Sequence, residues 1–193
     1  MSLRQYLSAV ALIAPVLMFG SAALAADALD GPPVPGVCLL NQEVVFANSQ
    51  VGIAAAARLR DLAKAADEPL EAERQSIVTD AKALQAQKPA DARTKEQALV
   101  QRDNALKISA QKLERQIELT RLKARGQIGE AAQSVVADAF HAHNCGLLIN
   151  KEVVMGGNMS NDLTAAVIQG LDAKITTITF DLEPYPTPKA ASQ

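Results

Sequence analysis

Between Phe46 and Phe140 the chain contains no Phe, Tyr or Trp. A packed globular core draws much of its buried area from aromatic rings, so a stretch of this length without them is not expected to be globular. It is instead rich in Ala, Leu, Gln, Lys, Arg, Glu and Asp, a strongly helical composition. Apolar residues recur every seven positions at Ala56, Ala63, Leu70, Ile77 and Leu84. Leu59 and Ala66 fill the companion seam until Glu73 and Asp80 interrupt it. On the return side Leu99, Leu106 and Leu113 form one seam, and Ala110, Ile117 and Ala124 the other. The pattern is that of a coiled coil, weakened by small Ala and stray charges at anchor positions. Lys88-Pro89-Ala90-Asp91 is the best break between the halves, because Pro cannot continue a helix and disfavours one in the residue before it. Two antiparallel arms of roughly 40 to 50 residues, each on the order of 60 to 75 Å long, are expected, with bends at Pro69 and at Gly126 and Gly129. Such a thin hairpin has no core of its own and must protrude.

The two ends of the chain supply what the arms stand on. Val37-Cys38-Leu39-Leu40-Asn41 and Val44-Val45-Phe46 are short runs of β-formers and predict a first strand, with Asn48-Ser49 placed to cap the helix that follows. Beyond the arms, Gly146–Asn150 and Val153–Met155 predict a strand pair turning at Asn150-Lys151-Glu152. Gly156-Gly157-Asn158 turns the chain, Asn161 or Asp162 caps a short helix over Leu163–Leu171, and alternation over Lys174–Leu182 predicts a last strand. The expected fold class is α+β: a small β-rich body from residues 37–48 and 143–183, carrying a helical hairpin over 49–142. Residues 26–36 and 184–193, both rich in Pro, are expected to be flexible.

The first residues have the form of a signal peptide: Arg4, an apolar run from Leu7 to Phe19, then Ala23-Leu24-Ala25 as a small-x-small cleavage site. Cleavage is expected between Ala25 and Ala26. The alternative is an uncleaved membrane anchor, since the run through Ala26 nearly suffices to span a bilayer; Pro15 and Gly20 argue against it. No later apolar stretch approaches ~18 residues, so the remainder is expected to be soluble.

Export to an oxidising compartment gives the two cysteines meaning. Cys38 and Cys145 flank the arms, and a bond between them would staple the ends of the excursion; two buried, unbonded thiols are the alternative. Charge is segregated. Net charge is −5 over residues 27–81, +6 over 82–125 and −4 over 126–193. The positive block sits at the hairpin tip and early return arm, at Lys82, Lys88, Arg93, Lys95 and Arg102. It is suited to an anionic membrane surface, lipopolysaccharide or the acidic loops of a client, or else it is an ordinary solvated helix face. His141 and His143 beside Cys145 have too few ligands and too tight a spacing for structural zinc. They suit a helix C-terminus instead. No Gly-rich phosphate loop, His-Glu-x-x-His or nucleophile turn is present, so neither catalysis nor a cofactor is expected. No aromatic interleaves the basic block, which disfavours nucleic acid as a partner.

The order of strand, long helical hairpin, strand pair and short helix resembles the Skp/OmpH family of periplasmic chaperones. The stretches that carry the resemblance are Val37-Cys38-Leu39-Leu40-Asn41 through Phe46, Leu147-Leu148-Ile149-Asn150-Lys151-Glu152-Val153-Val154, and Asn161-Asp162-Leu163-Thr164 through Leu171-Asp172. The last is similar to the family's ending of Asp-Leu-Thr, then Val, then Leu-Asn/Asp. The resemblance implies a homotrimer whose strands combine into a small barrel, with three hanging hairpins enclosing unfolded outer-membrane proteins and no nucleotide consumed. The chain departs from the pattern in being slightly acidic, and in carrying Lys174–Leu182 and a Pro-rich tail past the usual ending. The function expected is therefore an ATP-independent holding chaperone of the periplasm. The alternative is a structural or adaptor protein of the envelope that binds one specific partner through its coiled-coil hairpin.

Overall fold

The computed structural model describes residue 29, residues 31–85 and residues 89–186. The cleavage site at Ala25 and Ala26, Lys88 and the last residues of the tail lie outside the described residues. The elements run in the order β1 (Val37–Leu40), α1 (Gln42–Asn48), α2 (Gln50–Gln85), α3 (Pro89–Ala142), β2 (Leu147–Asn150), a 3₁₀ turn (Lys151–Val153) and α4 (Thr164–Lys174).

The hairpin forms as its composition predicts. α2 has 36 residues and α3 has 54, or roughly 55 and 80 Å at 1.5 Å per residue. α3 opens at Pro89, where a residue without an N–H costs the helix nothing. Pro69 lies on the exposed side of α2, and both helices run unbroken through Pro69, Gly126 and Gly129. The heptad seams face each other: Leu106 and Leu113 are buried, while Leu70, Ile77, Leu84 and Leu99 are half-buried. The arm is therefore a two-helix ribbon, and near its tip a hollow of about 310 Å³ is lined by Leu84, Ala98 and Leu99.

The core lies at the base of the ribbon. Val51, Leu163, Val167 and Leu171 are fully buried there with Cys38, Leu40, Val45, Ile128 and Val135. α4 seats closely on α3 because position 170 is Gly: a Cβ there would lie 2.5 Å from Val135 Cγ1. Lys174 Nζ then donates to Ala131 O at 3.0 Å and to Ser134 Oγ at 2.6 Å.

The first strand is cut short at Leu40, and two other expected strands do not form. Residues 44–46 lie in α1, because Asn41 Oδ1 accepts the Val44 N–H at 3.0 Å and caps a helix there; this local cap overrides the β preference of two valines. The run Val153–Met155 is not a partner strand. Asn150 Oδ1 accepts the Glu152 N–H at 3.1 Å and starts a 3₁₀ turn, which leaves Val153 and Met155 exposed. Residues 175–186 have no strand partner among the described residues; their polar groups bond instead to side chains of the arms. The sheet is thus two-stranded and parallel, with Val37 opposite Leu147 and Leu40 opposite Asn150.

Candidate functional site

At the base, the end of α3 delivers Cys145 to β1. Cys145 N–H donates to Phe140 O at 3.0 Å and Asn144 N–H to His141 O at 3.1 Å, with Asn144 at φ 52°. That pair of bonds around a left-handed residue is a Schellman motif. It reverses the chain out of α3, and the structure places Cys145 in a disulfide with Cys38, at a Cα–Cα distance of 5.8 Å. His141 and His143 are exposed on this turn, and among the described residues no group of three His, Cys, Asp or Glu is arranged to hold a metal.

β1 uses both of its edges. One pairs with β2; on the other, Leu39 N–H donates to Asn161 O at 3.0 Å and Leu163 N–H donates to Leu39 O at 2.8 Å. Asp162 fastens this second edge. Its Oδ1 accepts from the Thr164 N–H and hydroxyl, its Oδ2 pairs with Lys151 Nζ at 2.6 Å, and Thr164 Oγ1 in turn accepts the Asn41 N–H at 2.9 Å. Burial raises the Asp162 pKa, but the bonds from Lys151 and Thr164 outweigh it and hold the carboxyl below its usual range. The helix itself begins at Thr164, with Leu163 at the cap position, so Asp162 acts one residue further out than a cap would. Among the described residues β2 pairs only with β1, and Leu147, Val153 and Met155 stand exposed beside its other edge.

In the arms, the two acids that interrupt the outgoing seam are answered by one residue. Arg102 flanks the return seam between Leu99 and Leu106. It donates to Glu73 at 2.8 Å, to Asp80 at 2.6 Å and to Ser76 at 2.8 Å. Its hydrogen bond to Glu73 holds that carboxyl below the usual value. Arg102, expected among the tip cations, is therefore tied into the seam. Lys82, Arg93 and Lys95 are exposed near the tip.

The segment after α4 makes contacts that sequence reasoning missed. It leaves the base and runs up the ribbon toward the tip. Phe180 is buried in the basal core; Arg58 of α2 donates to Phe180 O and pairs with Asp181 at 3.1 Å. Glu183 N–H donates to Thr120 Oγ1 at 2.8 Å, Gln116 donates to Glu183 O at 2.8 Å, and Lys123 pairs with the Glu183 carboxylate. Lys112 lies 5.7 Å from the centre of the Tyr185 ring. The alternation of Ile175, Ile178, Phe180 and Leu182 signals an extended segment with one apolar side. It does not signal that this side would pack on helices.

A long helical hairpin mounted on a small parallel strand pair defines the class of this molecule. A family model for outer membrane proteins of the OmpH-like type matches residues 36–171, most of the chain, and the chain belongs to that family. Its structure is similar to one described as an outer membrane chaperone (OmpH-like) from Caulobacter crescentus CB15. The two share 30% identity at a TM-score of 0.67, over 79% of this chain and 93% of that one. No curated protein sequence matches the chain. The family match ends at Leu171, so the segment that climbs the arm lies beyond it.

Proposed function

We propose that this protein is an ATP-independent holding chaperone of the periplasm, exported by a signal peptide cleaved between Ala25 and Ala26. It would hold unfolded outer-membrane proteins among the arms of a homotrimer. The observation that carries the reading is the architecture of an OmpH-like chain: a small packed base carries a protruding, weakly seamed hairpin. Many weak apolar contacts from a bendable ribbon suit a client with no fixed shape. The exposed Val100, Ile108 and Leu122 on α3 offer such contacts away from the seam.

The open edge of β2 supports assembly. An unpaired strand edge is a template for a second chain, and a strand from another copy would cover Leu147, Val153 and Met155. The apolar hollow of about 360 Å³ beside it, bordered by Val45, Phe46, Val136 and Leu148, would lie near the same contact. On this reading residues 37–48 and 143–183 form the association body and 49–142 the client-holding arms.

Solution mass, small-angle scattering and an aggregation assay test the proposal together. An extended trimer that suppresses aggregation of several unrelated unfolded β-barrel proteins, near one trimer per client, is expected. A compact monomer, or a protein that binds one folded partner and leaves aggregation unchanged, overturns it.

A further inference from the structure

Residues 175–186 lie on the arm as an extended peptide lies on a receptor. Apolar side chains of one side face the helices, Phe180 most deeply, while Thr176, Thr177, Thr179 and Asp181 face solvent. The segment is acidic where the arm is basic, with Asp181 and Glu183 against Arg58 and Lys123. Its main chain is read directly at three points: Phe180 O by Arg58, Glu183 O by Gln116, and Glu183 N–H by Thr120. Bonds to the main chain, with an apolar seat for alternate side chains, are how proteins bind extended peptides of varied sequence.

We propose that the face of the ribbon formed by Arg58, Gln116, Thr120 and Lys123, above the seat of Phe180, is a binding groove for extended segments that alternate apolar and polar residues, filled in cis by the chain's own segment 175–186. This deepens the chaperone reading and rests on it, because alternation of this kind marks the strands of outer-membrane barrels. The segment then acts as a tethered competitor that an unfolded client displaces. Its hold weakens along its length: Phe180 is buried and Ile175 and Ile178 are half-buried against the basal core, whereas Asp181 and Tyr185 are exposed. Few buried contacts mean a low cost of local opening. When it lifts, Thr120 keeps its bond to Gln116 O at 2.7 Å and loses only the Glu183 N–H.

The test uses a fluorescent peptide of residues 175–186 and two variants of the full exported chain. One stops after Lys174. The other, Asp181→Lys with Glu183→Lys, keeps Phe180 but sets like charges against Arg58 and Lys123, so it tests the groove even where truncation unfolds the base. The peptide is expected to bind both variants at least ten-fold more tightly than the intact chain, and a peptide of scrambled alternation is not. Equal binding to the intact and altered chains, or none to the charge-reversed chain, overturns the inference. Aggregation assays on the same samples separate the two readings. Suppression without peptide binding leaves the chaperone and removes the groove, whereas peptide binding without suppression removes the chaperone and leaves the groove.

Discussion

Cys38 and Cys145 are 107 residues apart in sequence and joined across the base of the hairpin, with Cα atoms 5.8 Å apart. The bond closes a loop that contains both arms, so in the chain-entropy view it restricts the unfolded chain strongly. Cys38→Ala with Cys145→Ala is expected to cost roughly 4 to 5 kcal/mol, read as a lower urea midpoint. The loss should be large because the bond crosses the well-packed core at the base. Equal mobility of the parent chain on reducing and non-reducing gels, with two thiols titrated after unfolding, would remove the bond and the prediction with it.

Arg102 makes the arm sensitive to acid. Its bond holds the Glu73 carboxyl below the ordinary value of 4.5, so the folded arm gains stability from this pair. The contribution is full above the ordinary glutamate pKa and is lost as pH falls through the lower folded value. Hydrogen exchange over residues 70–84 and 96–108 should therefore quicken as pH drops below about 4.5, after correction for intrinsic rates. Arg102→Met should abolish that pH step while leaving exchange at the base unchanged. A step that persists in the variant assigns it to another group.

Gly52 lies in the first turn of α2, against the end of α1. A Cβ at this position would stand 1.7 Å from the Phe46 carbonyl oxygen, an overlap that no side-chain motion relieves because the neighbour is backbone. Gly52→Ala is expected to destabilise the base by about 3 kcal/mol, the upper part of the range for overpacking, with a lowered melting temperature. Gly126→Ala offers the contrast, since nothing lies within 4 Å of its added carbon. That change should be neutral or slightly stabilising, as Ala exceeds Gly in helix propensity by about 1 kcal/mol.

What was legible in the sequence followed from periodicity and punctuation. The seven-residue repeat, the absence of aromatic residues and Pro89 located both arms and their junction, and those signals are local to the helices. The end of the first strand and the strand after β2 were misread for a different reason. Val44–Phe46 and Val153–Met155 have β-forming side chains, yet one Asn before each run, Asn41 and Asn150, redirects the backbone through its side-chain oxygen. Short runs carry too little propensity to resist such a cap. The Arg102 cluster was hidden because heptad logic counts Glu73 and Asp80 as defects, whereas three charges from facing helices satisfy one another. The path of residues 175–186 depends on long-range contacts to Arg58, Gln116 and Thr120, which no local pattern encodes.

The basic tip carries the last prediction. Lys82, Arg93 and Lys95 are exposed near the end of a ribbon with little apolar packing, and Lys88 falls between the arms in sequence. An excess of positive charge at the end of a long lever acts on an anionic surface through long-range attraction, which salt screens over about 10 Å at 0.1 M. Binding to vesicles of anionic lipid is therefore expected at low salt and should weaken steeply as salt is raised, while zwitterionic vesicles bind weakly throughout. Reversing Lys82, Lys88, Arg93 and Lys95 to Glu should abolish the anionic binding and leave the melting temperature nearly unchanged, since Lys82, Arg93 and Lys95 are exposed in the arms, away from the basal core. Arg102→Glu is the informative control: it also removes positive charge, but it unseats Glu73 and Asp80 and should loosen the seam. Binding that survives the four reversals would assign these residues to a solvated helix face and leave the arms no electrostatic hold on a membrane.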